Sequence, residues 1–173
     1  QTLARQLNNL LYLQEVRSSQ LKRNSVNVYD MLLRLLVELR ARADEKGVRV
    51  ESTLRASVPY QGDTTALEQA FRNLLDNALK FTPHGGQIQV GLQDEPSRLI
   101  MRVEDSGIGI PGEALEKIFL PFYQVDASLA RQHPGAGLGL AIVKHVVEAH
   151  SGHVSVRSSP GAGSTFTIVL PRR

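Results

Sequence analysis

The segment that most constrains the fold is the long amphipathic stretch Thr64–Phe81. Its apolar residues recur at helical spacing and gather on one side, namely Leu67, Ala70, Phe71, Leu74, Leu75 and Ala78. Pro83 and the Gly85-Gly86 pair stop the predicted helix, and alternating strands are predicted over 87–92 and 99–104. A helix with one apolar side followed by half-buried strands predicts helices packed on a sheet.

The rest of the chain extends this pattern. Further helices are predicted over 1–22, from about Met31 to Lys46, near 113–119 and over 138–150; strands over 48–51, 152–157 and 164–170; and a loop over 59–63. The order predicts an α/β fold, a two-layer sandwich with one mixed β-sheet covered on one face by helices and preceded by a helical stub. We assign 1–24 to the stub and 25–173 to the domain.

Composition excludes several classes of function. The 173 residues contain no cysteine, which removes disulfides, thiolate zinc sites and cysteine nucleophiles. The 20 Lys+Arg against 17 Asp+Glu give a net charge of only +3, without a basic patch that would indicate nucleic acid. No apolar run approaches the roughly 20 residues that span a bilayer, so a cytoplasmic location is predicted.

The predicted helix over 64–81 has an unusual polar side. Asn73, Asn77 and Lys80 stand at i, i+4 and i+7, away from the apolar side. A solvated surface is the simple interpretation. Asparagine is a poor helix former, however, and carboxamide oxygens beside a lysine suit a hydrated Mg²⁺ and its phosphates. Spacing alone leaves both interpretations open.

The first glycine segment, 105–111 (DSGIGIP), follows a predicted strand. Asp105 at the strand end could accept a hydrogen bond from an exocyclic amine, and Gly107 and Gly109 let backbone approach a flat ring. A tight turn with an Asx hydrogen bond is the alternative.

The second glycine segment, 135–142 (GAGLGLAI), opens the predicted helix over 138–150. Free N–H groups at a helix N-terminus suit phosphate. The spacing matches neither the G-x-G-x-x-G dinucleotide fingerprint nor the Gly-Lys-Ser/Thr of a Walker loop. A flexible hinge remains the alternative.

Five segments in this order resemble the catalytic ATP-binding domain of bacterial two-component sensor histidine kinases, within the wider GHKL group that includes gyrase B, Hsp90 and MutL. Residues 71–83 (FRNLLDNALKFTP) resemble the asparagine box and 105–111 the first glycine box. Residues 118–124 (IFLPFYQ) resemble the phenylalanine box, 135–142 the second glycine box, and 159–166 (SPGAGSTF) the turn before the last strand. The resemblance covers roughly residues 26 to 173.

The resemblance implies a role for each matching residue. Asp105 would accept from the adenine amino group, Asn77 would coordinate Mg²⁺, and Asn73 and Lys80 would face the phosphates. The remaining nucleotide contacts that it implies are Phe81, Gly107, Gly109, Ile110, Arg131, Gly135, Gly137, Leu138, Gly139, Leu140 and Thr165. Residues 124–134 would form a mobile lid over ATP. One departure is Pro134-Gly135-Ala136, where the family more often carries Gly-Gly-Thr/Ser, so a hydroxyl is missing.

The position four residues before Asn77 bears on the reaction. Hydrolytic relatives resembling gyrase carry there a Glu that activates water, whereas this chain has Asn73, whose amide cannot take a proton. This favours transfer of the γ-phosphoryl group to an outside nucleophile. None of the five histidines is followed by Asp or Glu, as the family's phosphoacceptor is. Residues 1–24 resemble the end of the second helix of the family's dimerisation and phosphoacceptor hairpin, so the acceptor helix is expected to precede Gln1.

Three hypotheses about function follow. In the preferred one, the domain phosphorylates a histidine on a dimeric helical hairpin of the same protein, for relay to a response-regulator aspartate. An anti-sigma-type serine kinase is one alternative, although its box carries Glu where Asn73 stands. A nucleotide-sensing module without transfer activity is the other, although it would tend to lose Lys80 or the phenylalanine box, which are present.

Overall fold

The computed structural model describes residues 21–125 and 137–172. Its elements in chain order are β1 (Asn24–Val26), α1 (Val28–Lys46), β2 (Arg49–Leu54), β3 (Tyr60–Gly62), α2 (Thr64–Phe81), β4 (Gln87–Glu95), β5 (Arg98–Asp105), α3 (Gly139–Ala149), β6 (His153–Ser158) and β7 (Ser164–Pro171). A 3₁₀ turn spans Gly112–Ala114. Within these two described stretches, no helix combines the length and the apolar character needed to cross a membrane.

Five strands form one mixed sheet in the order β2-β4-β5-β7-β6. β2 runs parallel to β4, and the other neighbours are antiparallel. Alternate residues of β4, β5 and β7 are buried on one face: Ile88, Val90, Leu92, Leu99, Met101, Val103, Phe166, Ile168 and Leu170. α1 packs on β2, α2 on β5 and α3 on β6 and β7, whereas Gln89, Arg102 and Glu104 on the other face are exposed. The predicted two-layer α/β sandwich is confirmed.

Local signals in the sequence set the ends of α1 and α2. The side chain of Asn27 caps α1 by accepting from the Asp30 N–H at 3.1 Å, and Asp63 caps α2 by accepting from the Ala66 N–H at 3.0 Å. Gly47 ends α1 in a left-handed conformation with φ 69°. Thr82 ends α2 in an extended conformation, because a residue before proline disfavours the helical region. The predicted bounds of α2 are confirmed.

Two predicted segments differ from the structure. The predicted loop over 59–63 contains the short strand β3. It pairs antiparallel with β1, with Asn24 opposite Gly62, and this pairing provides partners for backbone groups that a loop would leave to solvent. The predicted helix near 113–119 is one 3₁₀ turn followed by further turns, since Pro111 and Pro121 bracket too few residues for a stable helix. Residues 1–20 of the predicted N-terminal helix lie outside the described residues.

Candidate functional site

The polar side of α2 meets the start of α3. The Nδ2 of Asn73 donates to the Gly139 carbonyl at 3.3 Å, and its Oδ1 accepts from Gln69 Nε2 at 3.2 Å. Asn73 is therefore buried, with 7% of its surface exposed, while Asn77 on the next turn is half-buried. α2 thus holds the N-terminus of α3 beside the side chains predicted to contact metal and phosphate.

Lys80 and Phe81 lie together at the end of α2. The Lys80 Nζ sits 4.9 Å from the centroid of the Phe81 ring, within cation–π range. Both residues are half-buried. The structure therefore brings the predicted phosphate ligand and the predicted adenine neighbour into contact.

Asp105 is a buried carboxylate at the end of β5, with 7% of its surface exposed. Burial raises its pKa above the ordinary value of 3.8, hydrogen bonds from the backbone N–H groups of Gly107 and Ser164 lower it, and the charge of Glu104 raises it. The bond from Gly107 N–H to Oδ1 measures 2.8 Å. A carboxylate held this way is a fixed acceptor, which suits the recognition of an amine.

The first glycine segment is wedged between the end of α2 and the β6–β7 turn. A Cβ on Gly107 would lie 2.5 Å from the Phe81 carbonyl oxygen. Gly109 has φ +72°, and a Cβ there would lie 1.9 Å from the Ser159 carbonyl oxygen. Backbone therefore packs directly on backbone around Asp105, and neither position has room for a side chain.

Ile110 and Thr165 are placed differently relative to Asp105. The half-buried Ile110 donates its N–H to Ser158 Oγ at 2.8 Å, which fixes it to β6. Asp105 pairs with Ser164 across the sheet, so that their side chains share the helix-covered face, whereas Thr165 projects to the open face beside Glu104. Ser164, with 7% of its surface exposed, lies beside Asp105, and no motif in the sequence indicated it. The alternation of β7 around Phe166 is the signal that would have found it.

The second glycine segment is described from Gly137 onward. Gly137 has φ +68°, and its carbonyl accepts from the Phe122 N–H at 2.9 Å. Leu138 is buried, Gly139 begins α3, and Leu140 is half-buried against the core. Arg131 and Gly135, together with the predicted lid from residue 126 onward, lie outside the described residues. The described part places an α3 N-terminus beside Asn73, which is the arrangement that suits phosphate.

The segment that resembles the phenylalanine box, residues 118–124, has side chains both against the core and at the surface. Phe119 packs edge-to-face on Phe166 with ring centroids 6.4 Å apart. Leu120 and Phe122 are exposed by 54% and 59%, and Phe122 adopts a φ of 65° that is rare for a bulky residue. Leu120 and Phe122 therefore present apolar side chains to solvent next to the second glycine segment.

The donor set decides which metal could be held. Across residues 21–125 and 137–172, no three His, Cys, Asp or Glu side chains lie close enough to hold a metal ion. A metal here would therefore depend on neutral oxygens and on its ligand's own charges. The carboxamide of Asn77 would fit Mg²⁺, which keeps several waters in its coordination shell and takes further oxygens from phosphate when a nucleotide is bound.

A comparison with known protein families identifies the family of this chain. Residues 62–173 match the model described as "Histidine kinase-, DNA gyrase B-, and HSP90-like ATPase". The chain belongs to this ATPase family. All the site residues above fall within the matched region, which makes the buried Asp105, the polar side of α2 and the glycine segments parts of one ATP-binding ATPase domain.

Relatives of this ATPase domain are named as histidine kinases. The circadian input-output histidine kinase CikA of Thermosynechococcus vestitus is 36% identical over 170 residues, which cover 95% of this chain and 23% of CikA. The solved structure of the mycobacterial sensor histidine kinase MprB is 33% identical, with a TM-score of 0.75, and the match covers 87% of this chain and 98% of that one. Full-length ShkA in complex with AMPPNP is 29% identical, with a TM-score of 0.85, over 98% of this chain and 36% of that one. The chain spans less than a third of the length of such curated relatives. The match covers 15% of the CikA protein of Synechococcus elongatus and 32% of the sensor-like histidine kinase SenX3 of Mycobacterium bovis.

Proposed function

We propose that this domain binds Mg·ATP and transfers the γ-phosphoryl group to a histidine on a separate helical hairpin, for relay to a response-regulator aspartate. The observation that carries the proposal is the buried Asp105 carboxylate, enclosed by glycine backbone next to the end of α2. A fixed anionic acceptor selects an amine such as that of adenine and disfavours the carbonyl that guanine has there.

The other residues of the proposed site would each contact a different part of the nucleotide. Asn77 would hold Mg²⁺, which neutralises phosphate charge, while Lys80 and the N–H groups of 137–140 meet the phosphates. Phe81 and Ile110 line the base, with Arg131 and Gly135 as further phosphate contacts. The solved complex of ShkA with AMPPNP supports a nucleoside triphosphate as the ligand of this site.

Transfer is favoured over hydrolysis by the chemistry of Asn73. Its carboxamide is not a base, and both its oxygen and its nitrogen are already hydrogen-bonded, to Gln69 and Gly139. The site thus positions phosphate without activating water. The names of CikA and MprB as histidine kinases support histidine as the acceptor.

The proposed partners are the phosphoacceptor hairpin, dimeric in the whole protein, and a response regulator. The exposed side chains of Leu120 and Phe122, next to the second glycine segment, support contact with a protein partner at this end of the domain. None of the chain's own histidines precedes an acidic residue. The chain alone is therefore expected to bind ATP without forming phosphohistidine.

The test mixes the chain with a purified acceptor hairpin of a histidine kinase and γ-labelled ATP with Mg²⁺. Acid-labile label on the hairpin histidine is expected, and none when that histidine is replaced or when the chain carries Asn77→Ala. Label on serine of an added anti-sigma-type partner would favour the serine kinase alternative, and ATP binding without transfer the sensing module. Phosphohistidine on the chain alone would contradict the proposal.

A further inference from the structure

The C-terminal end of α2 is unusually well fixed. The last four carbonyls of a helix lack helical partners and must find others. The Ala78 carbonyl accepts from both the backbone N–H and the hydroxyl of Thr82, at 3.1 and 2.6 Å. The Phe81 carbonyl accepts from the Ile108 N–H at 3.3 Å, which ties α2 to the first glycine segment.

The carbonyls of Leu79 and Lys80, which lie between those of Ala78 and Phe81, accept hydrogen bonds from Lys46. Its Nζ donates to the Leu79 carbonyl at 2.6 Å and to the Lys80 carbonyl at 3.0 Å. Lys46 belongs to the last turn of α1, more than 30 residues away in sequence, and is half-buried. Its positive charge also lies against the negative end of the α2 dipole.

We propose that Lys46 is a positioning residue for nucleotide binding, whose ammonium fixes the main chain of Lys80 so that the Lys80 side chain is directed toward the ATP phosphates. The inference rests on the proposed ATP site. Burial lowers the pKa of Lys46, because the ammonium is drawn away from water in making these bonds. A lysine used only for solubility would leave its charge in solvent.

Other links between α1 and α2 provide the contrast. Arg42 pairs with Asp76 at 2.6 Å, and Arg72 pairs with Glu38 and Glu68. These ion pairs join side chains on earlier turns and lie at the surface, where such pairs contribute little to stability. Lys46 instead donates a hydrogen bond to the main-chain carbonyl of Lys80, a residue of the proposed site. Arg42→Gln is therefore a matched control that removes an α1–α2 contact and leaves the end of α2 intact.

The experiment is a double-mutant cycle read by calorimetric titration with ATP and with adenosine in Mg²⁺. Lys46→Met is expected to weaken ATP binding about tenfold, the loss of one charge-assisted contact, while adenosine binding changes less than about twofold. In a Lys80→Met background, Lys46→Met is expected to cause no further loss, because Lys46 acts through Lys80. Arg42→Gln is expected to match the wild type.

Circular dichroism confirms that each variant is folded. If Lys46→Met does not fold, Lys46→Gln, which keeps a donor without the charge, is expected to give a smaller loss with the same dependence on Lys80. Unchanged ATP affinity, equal losses for ATP and adenosine, or additive losses in the Lys80→Met background would each overturn the inference. A folded wild-type chain that binds neither nucleotide would overturn the proposed function as well.

Discussion

Replacing Asp105 with Asn separates the binding of adenine from the stability of the fold. The carboxylate accepts from the backbone N–H groups of both Gly107 and Ser164, and the bond from Gly107 to Oδ1 measures 2.8 Å. Asparagine has only one accepting oxygen. If that oxygen stays with Gly107, the amide NH₂ faces the adenine amine, donor against donor. The charge-assisted contact is lost, which is expected to cost about 1–3 kcal/mol, or roughly a five- to 150-fold weaker affinity for ATP.

The pH dependence of stability should change in the same variant. Because burial raises the Asp105 pKa, the folded state holds its proton more tightly than the unfolded state, and stability falls as pH rises from 3.8 through the folded-state value. At neutral pH the ionised group is therefore a net cost. Asp105→Asn removes the titrating carboxyl group, so the stability of the variant should no longer fall over this pH range.

Calorimetric titration with ATP and GTP, together with urea denaturation, measures both effects. Glu104→Gln is the matched control, since Glu104 neighbours Asp105 but projects to the exposed face of the sheet. It should leave the affinity for ATP unchanged. An Asp105→Asn variant that binds ATP as the wild type does would refute the assignment of the base pocket. A variant whose stability, measured by urea denaturation between pH 4 and 7, falls as steeply as that of the wild type would refute the argument about the buried charge.

Three further changes test other parts of the domain. Asn77→Ala should remove the Mg²⁺-dependent part of ATP affinity, seen as equal calorimetric titrations with Mg²⁺ and with EDTA. The buried His150 accepts from the Asp63 N–H at 2.9 Å, and burial lowers its pKa, with Arg23 lowering it further and Asp63 and the Val146 carbonyl raising it. Stability should therefore fall as pH drops below 6.5, and less so in His150→Gln, as thermal melts between pH 5 and 8 would show. Gly163 has φ +79° and a Cβ there would lie 1.9 Å from the Asp105 carbonyl oxygen, so Gly163→Ala should destabilise the fold by more than about 2 kcal/mol. Gly161→Ala, with a similar φ and open space, should cost only about 1 kcal/mol in the same denaturation experiment.

The helices and strands whose ends are set by local sequence patterns could be predicted from the sequence. The bounds of α2 follow from its apolar side, from Asp63 at its start and from Pro83 beyond its end. The pairing of β1 with β3 could not be read this way, because it joins residues nearly 40 positions apart and neither three-residue strand has a clear alternation. Long-range pairing is decided by the packed chain rather than by its neighbours in sequence.

The residues of the candidate site likewise fall into those that motifs indicated and those that only the folded structure identifies. The motifs indicated Asp105, Asn77 and the glycines, since each carries its chemistry in its own side chain or in the lack of one. Lys46 and Ser158 carry no such signal, because their importance comes from carbonyls and N–H groups that only folding brings near them. The helical spacing placed Asn73 on the polar side, but its bond to Gly139 required the position of α3.

The end of the domain that is proposed to bind the base is built largely from main chain in direct contact with main chain. Carbonyls of Phe81, Ser159 and Asp105 occupy the spaces where Gly107, Gly109 and Gly163 would carry a Cβ. A deep mutational scan read by ATP binding should therefore show a sharp contrast within this short stretch. Side chains around the pocket should accept residues of similar size, while these three positions should accept glycine only. Natural sequence variation is therefore expected to be low at these three positions, whatever changes elsewhere around the proposed pocket.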